Sequence, residues 1–203
     1  MLENLLIRPI TEDDPERISA AFAAQGWDKP AALYHRYLQE QSDGARAVFV
    51  AEYEGNFAGY VTLVWLSDYP AFRQRNIPEI VDLNVLKMYQ RRGIASALLE
   101  AAEKRAGERS LVVGLGVGLS SDYGPAQRLY VRRGYVPDGS GAWSRGKALQ
   151  RGDQVRVDDD LELYLTRPLS PESPARDPAV ETAASDPQFR KKLKEMQETL
   201  ENL

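Results

Sequence analysis

The chain has 203 residues, and 26 Lys and Arg stand against 30 Asp and Glu, which gives a formal net charge of −4 at pH 7. It has no Cys and a single His, His35, which excludes a thiol nucleophile, a disulfide framework, a thiolate metal site and a multi-histidine metal site. The mildly acidic balance argues against nucleic acid or an anionic membrane as a partner, since both select a basic face. We therefore expect no metal, no nucleic-acid partner and no membrane partner.

The first third of the chain predicts a strand, two helices and a hairpin, from the spacing of apolar residues and the positions of Pro, Gly and Asn. The predicted strand covers 5–10, the helices cover 13–25 and 30–41, and the hairpin strands cover 45–53 and 57–65. The Gly and Asn between the last two strands are typical of a tight turn.

After a long connection at 67–79, the pattern alternates strand and helix. The predicted strands cover 78–86, 110–118, 134–137 and 160–168, and the helices cover 92–107 and 123–134. This order indicates an α/β domain with a mixed (α+β) sheet, whose central unit is strand–helix–strand. We place that domain at 1–168.

Composition changes near Pro168, beyond which Pro, Ser and Ala dominate. Residues 169–186 are predicted to form a stiff or disordered linker. Residues 187–203 are predicted to form an amphipathic helix, which could pair two chains, dock on its own domain or bind a partner. Its apolar stripe consists of Phe189, Leu193, Met196, Leu200 and Leu203.

The segment QRRGIA, from Gln90 to Ala95, joins a predicted strand to a predicted helix. Unpaired N–H groups and the helix dipole at such a start favour phosphate. Gly93 allows the backbone to approach a ligand, and Arg91 and Arg92 add positive charge. From this pattern alone, an ordinary turn with solvated arginines is an equally good interpretation.

QRRGIA resembles the Q/R-x-x-G-x-G/A pyrophosphate loop of the GNAT superfamily, the acetyl-CoA-dependent N-acetyltransferases. A second motif of that family, N-x-x-A-x-x-L-Y-x-x-x-G-F, is similar to a downstream segment in which Tyr123 replaces the Asn. That segment reads Tyr123, Gly124, Pro125, Ala126, Gln127, Arg128, Leu129 and Tyr130, followed by Gly134 and Tyr135. The resemblance implies the GNAT-like fold, with its splayed central strand pair, over about residues 1–167.

The resemblance also implies how acetyl-CoA binds. The backbone of 83–85 would pair with the pantetheine arm as an added strand does, and the N–H groups of 91–96 would hold the pyrophosphate. No metal is implied. The residues assigned to the co-substrate are Leu83, Asn84, Val85, Gln90, Arg91, Arg92, Gly93, Ile94, Ala95, Ser96, Tyr123 and Ala126.

Three residues are catalytic candidates. Tyr130 stands at the family's Tyr position, where a phenol protonates the departing CoA thiolate, although a core aromatic would look the same in sequence. Glu79 matches the Glu base of the histone-acetyltransferase members, and strand alternation predicts that it shares a face with Leu83; a solvated strand-end charge is the alternative. Asp82 is expected on the opposite face, as a second acid–base candidate or a structural group.

Together these features predict an N-acetyltransferase that moves an acetyl group from acetyl-CoA to a primary amine of a small molecule, a peptide or a protein. Because the chain has no Cys for an acyl-enzyme, direct attack in a ternary complex is expected. The alternative is a non-catalytic acyl-CoA-binding or adaptor module that acts through its C-terminal helix. The N-terminal residues do not resemble a signal peptide, so a cytoplasmic location is expected.

Overall fold

The computed structural model describes residues 4–169, and the predicted C-terminal helix and nearly all of the predicted linker lie outside them. Within that range there are eight strands and five α-helices. Seven of the strands and four of the helices follow the predicted order, and one short helix at 70–75 and one short strand at 147–148 were not predicted. The strands are β1 (Leu5–Pro9), β2 (Arg46–Tyr53), β3 (Asn56–Val64), β4 (Glu79–Val85), β5 (Val112–Gly118), β6 (Val136–Ser144), β7 (Lys147–Ala148) and β8 (Leu161–Pro168). The helices are α1 (Asp14–Ala24), α2 (Ala31–Ser42), α3 (Pro70–Arg75), α4 (Ile94–Gly107) and α5 (Gly124–Arg132).

All eight strands form one mixed sheet in the order β1-β2-β3-β4-β5-β8-β6-β7. Its one parallel pair is β4 with β5, and every other pair is antiparallel. The parallel pair is joined only at Glu79 opposite Gly114 and at Ile80 opposite Leu115. Beyond these residues the two strands separate, which confirms the predicted splayed pair at the centre of the sheet.

A bulge in β4 changes the direction of its side chains. Thr62 of β3 is opposite Val81, but Tyr60 is opposite Asn84, so Asp82 and Leu83 together face one residue of β3. Asp82 has a φ of 57°, in the left-handed region that few side chains adopt. The bulge therefore interrupts the alternation along the strand.

The prediction that Glu79 and Leu83 share a face is wrong for this reason. Ile80 and Leu83 both pack into the core beside α4, so Glu79, the neighbour of Ile80, points to the other side of the sheet. Asp82 also points to that other side, where it meets Tyr37. Glu79 and Asp82 thus lie on one side of the sheet, and Leu83 lies on the opposite side.

The core has three parts. The α4 cluster fills the sheet face under α4 and α5, and includes Leu98, Leu99 and Tyr130. The α1–α2 cluster covers the other face and includes Phe22 and Tyr60. The α3 cluster is the smallest and is largely aromatic: its buried members are Tyr69, Phe72, Ile77, Val112 and Tyr164.

Two segments differ from the sequence prediction. The connection at 67–79 contains α3, because Phe72 is fully buried in the space left by the missing side chain of Gly114. The strand predicted at 134–137 continues to Ser144 through an irregular stretch where Gly139 and Gly141 have positive φ. The additional helix and the longer strand both depend on contacts with strands that are distant in sequence, and a local sequence pattern does not contain those contacts.

Across residues 4–169, no helix is long and apolar enough to cross a bilayer.

Candidate active site

The loop before α4 has the geometry of an anion site. Gly93 precedes the helix with a φ of 79°, and no side chain caps the helix. The first N–H groups of an α-helix have no partner within the helix, so they stay available to a ligand in front of it. Arg91 and Arg92 are exposed beside them, and the Arg92 guanidinium lies 5.3 Å from the Tyr53 ring centroid and 5.9 Å from that of Tyr89. Ile94 is buried, while Ala95 and Ser96 are half-buried.

The edge of β4 that faces β5 is open beyond Ile80. On its other edge, β4 stays paired with β3 as far as Val85. The Gln90 amide nitrogen donates to the Val85 carbonyl at 3.2 Å, which joins the loop before α4 to the end of this strand. The side chain of Asn84 donates to Asp82 at 2.8 Å, so Asn84 offers a ligand its backbone. The open edge at 83–85 can accept an extended ligand as an added strand.

The start of α5 lies at the end of β5. The ring of Tyr123 occupies the space beside Gly118, and its hydroxyl donates to Asp159 at 3.2 Å. Burial, together with the nearby Asp159, raises the pKa of Tyr123 to about 12. Ala126 is half-buried against the α4 cluster. The Tyr123 side chain therefore serves as packing at this strand end, where the family motif has an Asn.

Tyr130 is buried in the α4 cluster, the cluster on which Leu83 and Val85 also pack. Its ring centroid lies 5.8 Å from that of Tyr135 in an edge-on arrangement. Burial, with a smaller contribution from Tyr123, raises the pKa of Tyr130 to about 12. The phenol therefore carries its proton at neutral pH and can act as a proton donor.

A cavity of about 590 Å³ opens on the side of the sheet opposite α4. Its wall includes Arg46, Tyr69, Glu79, Glu162 and Tyr164. A volume of this size is typical of a small-molecule site. It lies where β4 and β5 are still paired, next to the point where they separate.

Glu79 is the most deeply buried carboxylate of this cavity, with 8% of its surface exposed. Its Oε2 accepts a hydrogen bond of 2.6 Å from the hydroxyl of Ser67, which itself accepts one of 2.9 Å from the Tyr69 N–H. Burial raises the pKa of Glu79 to about 7, against the opposing effect of Ser67 and with a further rise from Glu162. A buried carboxylate whose pKa is raised to near neutrality has properties that a general base requires.

Asp82 lies on the same side of the sheet, but its carboxylate already has four donors. The Tyr37 and Tyr60 hydroxyls donate to Oδ2 at 2.8 and 2.7 Å. The Asn84 amide and the Lys29 ammonium donate to Oδ1 at 2.8 and 3.2 Å. The carboxylate thus ties the α1–α2 connection, which carries Lys29, to the bulge of β4.

Sequence reasoning missed Glu162 and Tyr164 in the cavity wall, and it missed Ser67, the hydrogen-bond partner of Glu79. The alternation of β8, in which Leu161, Leu163 and Leu165 pack inward, was a signal that Glu162 and Tyr164 share the other face. Ser67 had no such signal, because its hydrogen bond to Glu79 depends on the path of the chain before α3.

Among residues 4–169, no group of three or more His, Asp or Glu side chains is placed to hold a metal ion.

Comparison with known proteins gives a family and a fold. The model of the acetyltransferase (GNAT) family matches residues 11–135, whereas no curated protein matches the sequence. Among solved structures, an N-acetyltransferase from Staphylococcus aureus Mu50 has a TM-score of 0.63 at 17% identity, over 83% of this chain and 100% of that one. The ribosomal-protein-alanine N-acetyltransferase of Brucella melitensis has 0.61 at 21%, over 81% and 99%. The protein yncA of Salmonella typhimurium, solved with its cofactor acetyl-CoA, has 0.60 at 19%, over 86% and 99%.

Proposed function

The chain belongs to the GNAT family of acetyltransferases, and we propose that it moves an acetyl group from acetyl-CoA to a primary amine by direct attack in a ternary complex. The family makes it an acyltransferase that uses acetyl-CoA as co-substrate. The observation that carries the specific proposal is Glu79, a buried carboxylate in a cavity beside the splayed strands. The predicted cytoplasmic location and the predicted absence of nucleic-acid and membrane partners stay predictions.

The residues around the splay suit acetyl-CoA. Acetyl-CoA supplies a thioester whose carbonyl is open to attack and whose thiol is the leaving group. The N–H groups of 91–96, with the positive charges of Arg91 and Arg92, suit its diphosphate. The open edge of β4 at 83–85 suits the amide groups of its pantetheine arm, which can pair as an added strand.

Glu79 is proposed as the general base. A primary amine has a pKa of about 10, so at neutral pH it must lose a proton before its lone pair can attack. The pKa of Glu79, raised to about 7, leaves a substantial part of the carboxylate ionised and basic enough to accept that proton. The Ser67 hydroxyl occupies Oε2, which leaves Oε1 to face the amine.

Tyr130 is proposed as the general acid. Its phenol is protonated at neutral pH, because its pKa is raised to about 12. Its ring packs in the same cluster as Leu83 and Val85, the strand residues proposed to hold the pantetheine arm. A proton donor in that cluster can protonate the sulfur as the thioester bond breaks.

Asp82 is proposed as a positioning residue. Its two oxygens accept four hydrogen bonds from Tyr37, Tyr60, Lys29 and Asn84, which satisfies the acceptor capacity of a carboxylate. An acceptor so fully engaged is a poor base. Its contribution is to hold the bulge that turns Glu79 and Leu83 to opposite sides of the sheet.

A panel of primary amines, with release of CoA as the readout, tests this function. We expect at least one amine to release CoA above the hydrolysis rate without amine, and mass spectrometry to find that amine acetylated. The panel includes a peptide with a free N-terminal alanine, because the Brucella structure is named for a ribosomal-protein alanine. Acetyl-CoA binding without CoA release from any amine would instead favour the adaptor function.

A further inference from the structure

The cavity that contains Glu79 is lined by more negative than positive side chains. It is lined by four carboxylates, those of Glu40, Asp68, Glu79 and Glu162, and by one cation, Arg46. Two of the carboxylates are already neutralised, because Glu40 pairs with Arg46 and Asp68 pairs with Arg73. The other two have no cationic partner within residues 4–169.

These two carboxylates are also the buried ones. Glu79 is 8% exposed, and Glu162 is half-buried on β8. Their protein partners are neutral hydroxyls: Ser67 donates to Glu79 at 2.6 Å, and Tyr164 donates to Glu162 at 3.1 Å. Burial raises the pKa of both carboxylates, and the charge of Glu162 raises that of Glu79 further, so a ligand that brings positive charge stabilises their ionised forms.

Glu162 is held by the sheet as a wall of the cavity. The position of Glu162 follows from the pairing of β5 with β8, in which Gly118 is opposite Glu162 and Gly116 is opposite Tyr164. A Cβ on Gly116 would lie 3.1 Å from Oε1 of Glu162, so the carboxylate uses the space that this glycine leaves. The position of the charge is therefore built into two neighbouring strands.

The remaining surface of the cavity includes apolar side chains. Val64 and Val81 line it, and Leu66 stands at its opening with 65% of its surface exposed. Apolar side chains in the same cavity as two carboxylates without a cationic partner suit a ligand that joins cationic ends by methylene groups.

We propose that Glu162 determines acceptor specificity by binding a second cationic group, and that the acceptor is a small aliphatic diamine or polyamine. This inference rests on the proposed function, in which Glu79 receives the proton of the reacting amine. The near nitrogen of the diamine is the one that reacts, and it lies at Glu79. The far ammonium, at the other end of the molecule, pairs with Glu162. The near ammonium gives one proton to Glu79, which passes it to solvent, and the freed nitrogen attacks the thioester carbonyl. As the amide bond forms and the thioester bond breaks, Tyr130 protonates the departing CoA thiolate, and the second proton of the nitrogen restores the phenol.

Matched amines test the proposal, because butylamine and pentylamine have the carbon chains of putrescine and cadaverine with one charge fewer. With saturating acetyl-CoA, we expect KM to be at least about tenfold lower for each diamine than for its monoamine, which corresponds to about 1.4 kcal/mol. Glu162→Gln keeps the size of the side chain and an acceptor for Tyr164. It should raise KM for the diamines at least about tenfold and leave KM for the monoamines nearly unchanged.

Two further measurements separate specificity from folding and from catalysis. Glu12→Gln, which removes an exposed charge, should leave both KM values at the wild-type level. Calorimetry of cadaverine with the full chain should show binding that Glu162→Gln weakens, whether or not turnover occurs. Equal KM values for diamines and monoamines, or an equal loss for both in Glu162→Gln, would overturn the inference and leave the proposed function intact. No CoA release with any amine would overturn the proposed function, and the calorimetry would still test the role of Glu162.

Discussion

The hydroxyl of Ser67 donates a 2.6 Å hydrogen bond to the carboxylate of Glu79, and both side chains are buried. The bond favours the ionised carboxylate, whereas burial disfavours it, and the net result is a pKa of about 7. A base with this pKa is largely ionised just above neutral pH and still accepts a proton readily. The pair therefore links the start of β4 to the connection before α3 at the point where the chemistry is proposed.

Ser67→Ala should shift the acid limb of the kcat/KM profile to higher pH. The variant removes the hydrogen bond that favours the ionised Glu79, while the burial that raises its pKa persists. The measurement is CoA release with one accepted amine over the range from about pH 5 to about pH 9. Ser110→Ala removes a hydroxyl that bonds to the Val112 carbonyl instead, and its limb should coincide with the wild type. A Ser67→Ala limb that stays in place or moves to lower pH would show that the bond does not set this pKa.

Glu79→Gln should make the protein more stable above neutral pH. The pKa of Glu79 is raised from 4.5 to about 7 in the fold, so the folded state binds the proton more tightly than the unfolded state. The contribution of Glu79 to the free energy of unfolding of the wild type is fully present below about pH 4.5 and is lost as pH rises through about 7. Glutamine does not titrate, so the variant has no such loss. At about pH 8 its free energy of unfolding should exceed that of the wild type by on the order of 3 kcal/mol.

Denaturant unfolding of both proteins at several pH values measures this gain. The difference in the free energy of unfolding should vanish below about pH 4.5 and grow between there and about pH 7. A difference that does not depend on pH would mean that the Glu79 carboxylate is not held at a raised pKa.

Tyr130→Phe should lower kcat by about a hundredfold to ten-thousandfold while the affinity for acetyl-CoA stays nearly constant. The ring and its packing are kept, and only the proton donor is lost. Tyr135→Phe is the matched control, since its ring contacts that of Tyr130 but its hydroxyl donates to Glu103. That control should reduce stability more than kcat. Wild-type turnover by Tyr130→Phe would remove Tyr130 from the mechanism.

Gly93→Ala should weaken acetyl-CoA binding by about tenfold, measured by calorimetry. Gly93 has a φ of 79° in front of α4, where an added Cβ costs about 1 kcal/mol or more and stands beside the proposed diphosphate site. Gly134→Ala carries a similar backbone cost at a φ of 87°, at the other end of α5 from Tyr123. The control should lose stability and keep its affinity for acetyl-CoA. Equal affinities in the two variants would contradict an anion site at the start of α4.

Much of the fold was predictable because its signals are local. The loop at 90–95 contains its own positive charge, glycine and helix start, and the strands before the loop and after its helix follow from runs of apolar residues. The bulge of β4 was not predictable from the strand itself. Its Asp82 is held by Lys29, Tyr37 and Tyr60, which are distant in sequence and meet only in the folded sheet.

The candidate site divides in the same way. Glu79 and Tyr130 stand in segments whose pattern resembles a family, so their positions could be proposed from the sequence. Ser67 and Glu162 could not, because their relation to Glu79 depends on the path before α3 and on the pairing of β5 with β8. The excess negative charge of the cavity therefore results from the pairing of distant strands and not from a local sequence pattern.

The most direct test of the account is kcat/KM of wild type and Glu79→Gln for one accepted amine across the pH range. Glu79→Gln should lower kcat/KM at about pH 7 by about a hundredfold or more and remove the acid limb near pH 7, with acetyl-CoA affinity retained. Glu12→Gln, which removes an exposed charge, should match the wild type. A Glu79→Gln protein that keeps both the wild-type rate and the acid limb would contradict the assignment of Glu79 as the base.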